Sequence, residues 1–340
     1  MVDAGQSRKN VFSRRSALKI LAVAGAAGAL GLTFTGRERG LQVVRRSRVL
    51  MSTPVNLTVY SHDREQAEAA AVATLSRMSE LEARLSRFRP DSEVGRLNRT
   101  GELAGAGADL LAVLALAQQV SAKSDGAFDV TMLPLLTRHQ QSRQGLSAAD
   151  EQLAAARRAV DFTRLQIDGR QLRLTQPGMG ITLDGIGKGY IVDQGVATLA
   201  AHGFGRVYVE AGGDLAARGG KPGNKPWRIG IAPPRPGMNR ELTVVAGNNL
   251  AVATSGDYQQ NFSNDYRHHH IINPRTGFSP PQLASCTITA PDAALADALA
   301  TACLVLGLPD ALDLLAAFPG CEGYFVDKEF KVQHTGGFIV

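Results

Sequence analysis

The sequence predicts an α+β domain with mixed or antiparallel sheets and flanking helices. Three observations carry that expectation. Ala/Glu/Arg/Leu-rich helical patterns occupy the early and late parts of the chain. Short strand-like runs fill residues 206–289, and strands and helices do not alternate as a parallel βαβ fold requires. With 340 residues, 44 % of them apolar, the chain can bury a large core.

Residues 1–36 precede that domain and read as an export signal. Arg14 and Arg15 stand before a mild apolar run, residues 20–32, rich in Ala and Gly. A twin arginine ahead of a weakly hydrophobic stretch is the pattern of the twin-arginine (Tat) export route. The run is shorter than the ~20 apolar residues of a spanning helix, so a retained membrane anchor is the second reading. The expected location is periplasmic, with membrane association if the segment is kept. Residues 37–48 read as a basic linker, and one domain is expected over 49–340.

Within that domain, residues 49–60 alternate apolar and polar, as a strand does. Residues 63–88 form a long helical pattern ended by Pro90, and 91–98 a loop or short helix. Residues 108–124 are helical, with Gly126 beyond their end. Residues 147–160 are a further helix with Ser147 as a plausible cap. Asp168-Gly169 predicts a hairpin over 165–174. A short strand is expected at 181–183 and a helix at 187–202. Strands follow at 206–210, 214–218, 227–231, 242–245, 250–253 and 284–289, then helices at 293–306 and 311–318.

Charge and cysteine content narrow the function classes. The net charge is +6, but residues 1–50 hold ten Lys/Arg against two Asp/Glu, leaving 27 against 29 for the rest. A near-neutral domain gives nucleic-acid binding little support. Cys286, Cys303 and Cys321 are too few for a disulfide framework and are not spaced as zinc ligands.

Four segments concentrate chemistry. In Asp184-Gly185-Ile186-Gly187-Lys188-Gly189 a strand gives way to a helix with a lysine in its first turn. Free N–H groups, the helix dipole and an ammonium then converge, which suits phosphate. The alternative is a plain glycine-rich turn with a solvated lysine. Asp297 and Thr301 are i and i+4 on a predicted helix and offer hard oxygens to a cation such as Mg²⁺, or merely support their own helix. Gly126-Ala127-Phe128-Asp129 is a turn able to hold a ring system, or loop packing with a capping Asp. Thr254 to Gly277 brings together Asp257, His268, His269, His270 and Arg275. Consecutive histidines on a strand point alternately, so a three-histidine metal site is not expected. One histidine near Asp257 and Arg275 is a candidate base or anion partner.

Together these pieces resemble the ApbE family of FAD:protein FMN transferases. The resemblance is carried, in order, by Met51-Ser52-Thr53, the run 86–93 around Phe88, Gly126-Ala127-Phe128-Asp129, DGIGKGYIVD at 184–193, Gly212-Gly213-Asp214, Thr254-Ser255-Gly256-Asp257, HIINPRTG at 270–277 and ADALAT at 296–301. It implies Mg²⁺-dependent transfer of FMN from FAD to a Thr or Ser hydroxyl of a target flavoprotein, with release of AMP. The resemblance further implies that Asp297, Thr301 and the Gly187 carbonyl ligate the metal. It places Met51, Phe88, Ala127, Phe128, Asp129, Asp184, Lys188 and Ile271 around FAD. His270 would assist the attacking hydroxyl, with Asp257 and Arg275 nearby. Exported family members also serve nitrous-oxide-reductase maturation, a role the resemblance allows here. Two other readings remain: Mg²⁺-dependent hydrolysis of FAD to FMN and AMP, and a periplasmic flavin-binding protein without turnover. The chain departs from the usual pattern at Ser52, where Gly is common, at Gly187 for Ala, and at Asn273 for Asp.

Overall fold

The structure, a computed structural model, describes residues 40–142, 146, 147, 149–238 and 242–338. The signal assigned to residues 1–36 lies outside them, as does the start of the expected linker.

The first strands are β1 (Gln42–Leu50) and β2 (Thr53–Ser61), paired antiparallel through a turn at Met51 and Ser52. Helix α1 (Arg64–Leu85) follows, its N-terminus capped by Asp63, which accepts from the Gln66 N–H. Then come α2 (Glu93–Thr100), β3 (Glu102–Ala104), α3 (Ala108–Lys123), α4 (Leu133–Gln141) and α5 (Glu151–Arg158). The hairpin β4 (Leu165–Asp168) and β5 (Gln171–Leu174) leads to α6 (Gly187–Ala201). Strands β6 (Val207–Ala211), β7 (Asp214–Arg218), β8 (Trp227–Ile231), β9 (Thr243–Gly247), β10 (Leu250–Gly256) and β11 (Leu283–Ala290) make up the middle. Helices α7 (Ala293–Leu306) and α8 (Asp310–Ala316) precede β12 (Glu322–Asp327) and β13 (Val332–His334).

Eight strands form one sheet in the order β1-β2-β6-β7-β10-β11-β12-β13, with every neighbouring pair antiparallel. The core follows from strand alternation. Along β10, Ala251 and Ala253 join the large cluster with α1, α6 and α7, while Leu250 and Val252 join a second cluster with Trp227, Ile231 and Val245 of the β8–β9 ribbon. A sheet covered on both faces needs strands that are apolar on both sides, which is how β10 reads. Trp227 and Cys303 are core residues, and all three cysteines are free and buried.

The antiparallel sheets and flanking helices agree with the sequence-based fold class. Four expectations need correction. Residues 42–48 are not linker but most of β1, so the domain starts before residue 49. In that edge strand only Val44 and Leu50 are buried, and its exposed arginines hide the alternation. The helix expected from Ser147 starts at Glu151, because Asp150 caps it by accepting from the Leu153 N–H. Residues 181–183 form no strand; Asn98 instead brackets Ile181, accepting from its N–H at 2.6 Å and donating to its carbonyl at 2.9 Å. His268, His269 and His270 lie in an irregular segment with a single bridge, Asn261 to His269, rather than on a strand.

Candidate active site

A cleft of about 450 Å³ opens where the first turns of α6, one face of α7 and the end of β10 meet the loops after α1 and α3. Met51, Phe88, Ala127, Phe128, Asp129, Asp184, Gly187, Lys188, His270, Ile271, Asp297 and Thr301 all line it. Residues separated by up to 250 positions thus share one wall system.

One corner is formed by the N-terminal turn of α6 and the middle of α7. No side chain caps α6 at Ile186, so its first turn faces the cleft with the positive end of the helix dipole. Asp297 is almost fully buried and its Oδ2 accepts from the Gly189 N–H at 3.1 Å. Burial, then the nearby Asp214 charge, raises the Asp297 carboxyl well above its ordinary value, while Lys188 opposes that rise. Thr301 Oγ1 lies 3.2 Å from Ser255 Oγ. Gly185 is tight here, since a Cβ would meet Thr301 Oγ1 at 3.0 Å.

Lys188 is paired with Asp214 at the start of β7. Burial pulls the ammonium down, but Asp214 and then Asp297 outweigh it, so Lys188 is held above its ordinary value and stays charged. The turn that delivers Asp214 has Gly212 at φ 59° and Gly213 at φ 101°, conformations that glycine adopts without strain. In the sequence that motif is read only as part of the family resemblance, and the ion pair is not foreseen. A carboxylate directly after the glycine pair was the available signal.

A small divalent cation would find hard oxygens at this corner: the Asp297 carboxylate, the Thr301 hydroxyl and the Gly187 carbonyl. Among the described residues no three His, Cys, Asp or Glu side chains gather as a metal cluster. One buried carboxylate with neutral oxygens suits Mg²⁺ that shares its coordination with substrate phosphates. The donor set therefore fits the ion. Gly187 itself leaves room for the Ala usual in the family, because its Cβ would sit 3.4 Å from Leu183 Cβ, an ordinary contact.

The opposite wall is apolar and aromatic. Phe128 and Ala127 are buried, whereas Phe88 is 73 % exposed at the rim with the Arg87 guanidinium 4.0 Å from its ring centroid. Arg87 Nε also donates to Asp184 at 2.9 Å. Asp129 accepts from Thr131 N–H and Oγ1, each at 2.7 Å, and from Phe162 N–H at 2.9 Å. Burial raises its carboxyl to about 6 against those bonds. Met51 and Ser52 turn the chain with φ of 51° and 59°. That left-handed pair is the geometry of a tight hairpin turn and explains why Gly is the common residue at position 52.

The segment from Thr254 to Gly277 delivers less to the cleft than its composition promised. His270 faces it, with Nδ1 3.3 Å from the Gln260 carbonyl. That contact assigns the proton to Nδ1 and leaves Nε2 basic. Burial lowers the His270 pKa, with the Gln260 carbonyl opposing, so the imidazole is neutral at pH 7. His269 is fully buried, and burial pushes it down to about 4; His268 is exposed.

Asp257 and Arg275, expected beside His270, are engaged elsewhere. Asp257 is completely buried, takes a bidentate pair from Arg235 at 2.6 and 2.8 Å, and also pairs with Lys328. Arg275 is exposed and binds Asp125, including its carbonyl at 2.8 Å. Neither lines the cleft. Sequence adjacency placed them near His270, but a chain reversal between them turns their side chains away. Asn273 Oδ1 accepts from the Arg275 N–H at 2.9 Å, so the amide serves the turn without a charge.

With this arrangement in view, the comparisons decide the family. The ApbE family model matches residues 51–325. This chain belongs to the ApbE family. The FAD:protein FMN transferase of Treponema pallidum is 30% identical over 330 residues, covering 91% of each chain. That of Haemophilus influenzae is 33% identical over 251 residues, covering 70% of this chain and 72% of the relative. Among solved ApbE structures, the flavin transferase from Vibrio cholerae superposes with a TM-score of 0.77 at 27% identity, covering 88% of this chain and 98% of that one. The apo form of the Pseudomonas stutzeri flavinyl transferase gives 0.76 at 30% identity, covering 91% and 98%.

Proposed function

We propose that this chain is an exported, Mg²⁺-dependent FAD:protein FMN transferase that releases AMP. The family and its named relatives support the transferase activity. The observation that carries the finer reading is the convergence of a neutral histidine, a paired lysine, an uncapped helix N-terminus and a hard-oxygen corner on one cleft.

FAD is the donor substrate and a flavoprotein bearing a Thr or Ser hydroxyl is the acceptor. The isoalloxazine lies against Phe128, Ala127 and Met51, with Phe88 at the rim. The pyrophosphate lies by Lys188 and the first turn of α6. His270 Nε2 takes the proton of the acceptor hydroxyl as its oxygen attacks the FMN-side phosphorus. The bond from that phosphorus to the bridging oxygen breaks and AMP departs with the bridging oxygen. FMN remains joined to the acceptor through a phosphoester. Mg²⁺ held by Asp297, Thr301 and the Gly187 carbonyl would supply charge neutralisation at the phosphates. Preorganised charge of this kind is the main catalytic resource in phosphoryl transfer. The Arg14-Arg15 signal supports a periplasmic location; among the described residues, no helix is long and apolar enough to cross a membrane.

One assay tests the reading. The protein is incubated with FAD, Mg²⁺ and a target domain carrying an acceptor Thr. Covalent flavin fluorescence on the target with stoichiometric AMP is the expected result. Free FMN with AMP would identify a hydrolase, and unchanged FAD a binding protein; either outcome overturns the transferase reading.

A further inference from the structure

The hard-oxygen corner draws its donors from two helices, α6 and α7, and its geometry depends on how those helices are held together. They touch at two levels. At the first, the Asp193 carboxylate of α6 reaches the start of α7: Oδ1 accepts from the Ala293 N–H at 2.9 Å and Oδ2 from the Ala294 N–H at 2.8 Å. One turn back along α6, Gly189 lies on the same face. A Cβ there would sit 2.2 Å from the Ala293 carbonyl oxygen, so only glycine permits the approach, and its N–H donates to Asp297 Oδ2 at 3.1 Å. Asp297 is one turn beyond Ala293 on α7 and Thr301 one turn further.

The end of α7 already has a cap of its own, because Asp292 Oδ1 accepts from the Leu295 N–H at 2.9 Å. Asp193 adds a second carboxylate from a different helix, and burial raises its carboxyl to about 6 even against its two N–H bonds. A helix end open to solvent can satisfy those N–H groups with water. Using a partly buried carboxylate from the neighbouring helix instead ties the rotation and axial position of α7 to α6. A shift of one residue along α7 is ~1.5 Å and ~100°, which would carry Asp297 off the Gly189 N–H and Thr301 off Ser255. Metal–ligand distances tolerate only ~0.2 Å.

We infer that Asp193 is a positioning residue for the metal corner, a clasp that sets the register of α7 against the first turn of α6. The inference rests on the proposed reading of Asp297 and Thr301 as magnesium ligands. Asp193 touches neither substrate nor ion and acts through α7.

The test compares Asp193→Ala with Asp292→Ala. Both remove a carboxylate from the same helix end, but only the first removes hydrogen bonds to α6. Mg²⁺ is titrated calorimetrically into the FAD-loaded protein without acceptor, FAD affinity is measured by flavin fluorescence in chelator, and melting temperature is recorded. The expected result is a Mg²⁺ half-saturation raised roughly 10- to 100-fold in Asp193→Ala, as for loss of an outer-shell partner. In Asp292→Ala it stays within about twofold of wild type despite a comparable fall in melting temperature, as expected for loss of an ordinary cap. Metal-free FAD affinity is little changed in both. Asp193→Asn, which keeps one acceptor oxygen, gives an intermediate shift and carries the test if the alanine variant does not fold. Equal shifts in the Asp193 and Asp292 variants, or none in either, overturn the inference. If wild type itself takes up no Mg²⁺, the metal reading fails first and the clasp with it.

Discussion

The α6–α7 corner and the segment from Thr254 to Gly277 both border the cleft, and both are dense in charged and polar side chains. At the corner, Lys188, Asp297 and Thr301 project from helices directly into the cleft, and their partners, Asp214, Gly189 and Ser255, lie beside them. In the segment, the charged residues turn away. Asp257 is buried against Arg235 and Lys328 and Arg275 is held by Asp125 on the surface, so what the segment gives the cleft is uncharged: Thr254, Ser255, Gln259, Gln260, Phe262, His270, Ile271 and Ile272. A polar motif can therefore serve a site in two ways. Helical residues at fixed spacing bring charge to the cleft themselves, whereas this segment uses its charged residues to hold its own conformation and presents neutral side chains.

That contrast breaks if the wrong residues prove essential. The largest effect is expected for Asp297→Ala, which removes the one carboxylate among the three proposed metal donors. Transfer should fall on the order of 10³-fold, as for loss of a charge-stabilising group, with FAD binding in chelator preserved. A wild-type rate with trace metal removed would sink the assigned metal corner. Next is Asp257→Ala, which leaves Arg235 and Lys328 facing an emptied carboxylate site. Breaking a buried ion pair costs about 3 kcal/mol or more, to be read by denaturant unfolding, while the folded fraction keeps its rate within a few-fold. A catalytic Asp257 would show the reverse pattern.

His270→Ala sharpens the comparison from the other side. Loss of a general base should slow transfer roughly 10²-fold without weakening FAD binding. The pH profile carries the sign. As the proposed base, His270 would act as neutral imidazole, and its pKa in the folded protein is lowered from the ordinary 6.5. The acid limb of kcat/KM should therefore fall below pH 6.5, and it should vanish in the variant. An acid limb that survives in His270→Ala would point to a different base. The smallest effect is expected for Arg275→Ala. An exposed ion pair contributes about 0–1 kcal/mol, so melting temperature and transfer rate should both stay near wild type. A large loss of rate there would restore Arg275 to the site.

Much of the fold was legible because long helices advertise themselves. The patterns at 63–88, 108–124, 187–202 and 293–306 fall within a few residues of α1, α3, α6 and α7. Short elements were lost. Strand β12 is buried on successive residues and so shows no alternation, β13 is three residues long, and β1 exposes its arginines where alternation would have betrayed it. At the cleft, the glycine-rich turn and the i, i+4 pair on α7 were legible because helix geometry fixes where their side chains point. The fates of Asp257 and Arg275 were not. Their directions depend on Arg235, Lys328 and Asp125, contacts between distant segments that spacing in one chain does not encode.

The misread β1 has a further consequence. It is one edge of the eight-stranded sheet, and the other edge is β13, three residues long. An open edge is a template on which another chain can add a strand. Here one edge carries Arg45 and Arg48 on either side of Arg46, which Glu68 pairs, so like charges oppose an edge-to-edge pair, and the other edge is too short to hold a partner. The arginines that made this stretch look like a tether thus disfavour strand addition at that rim.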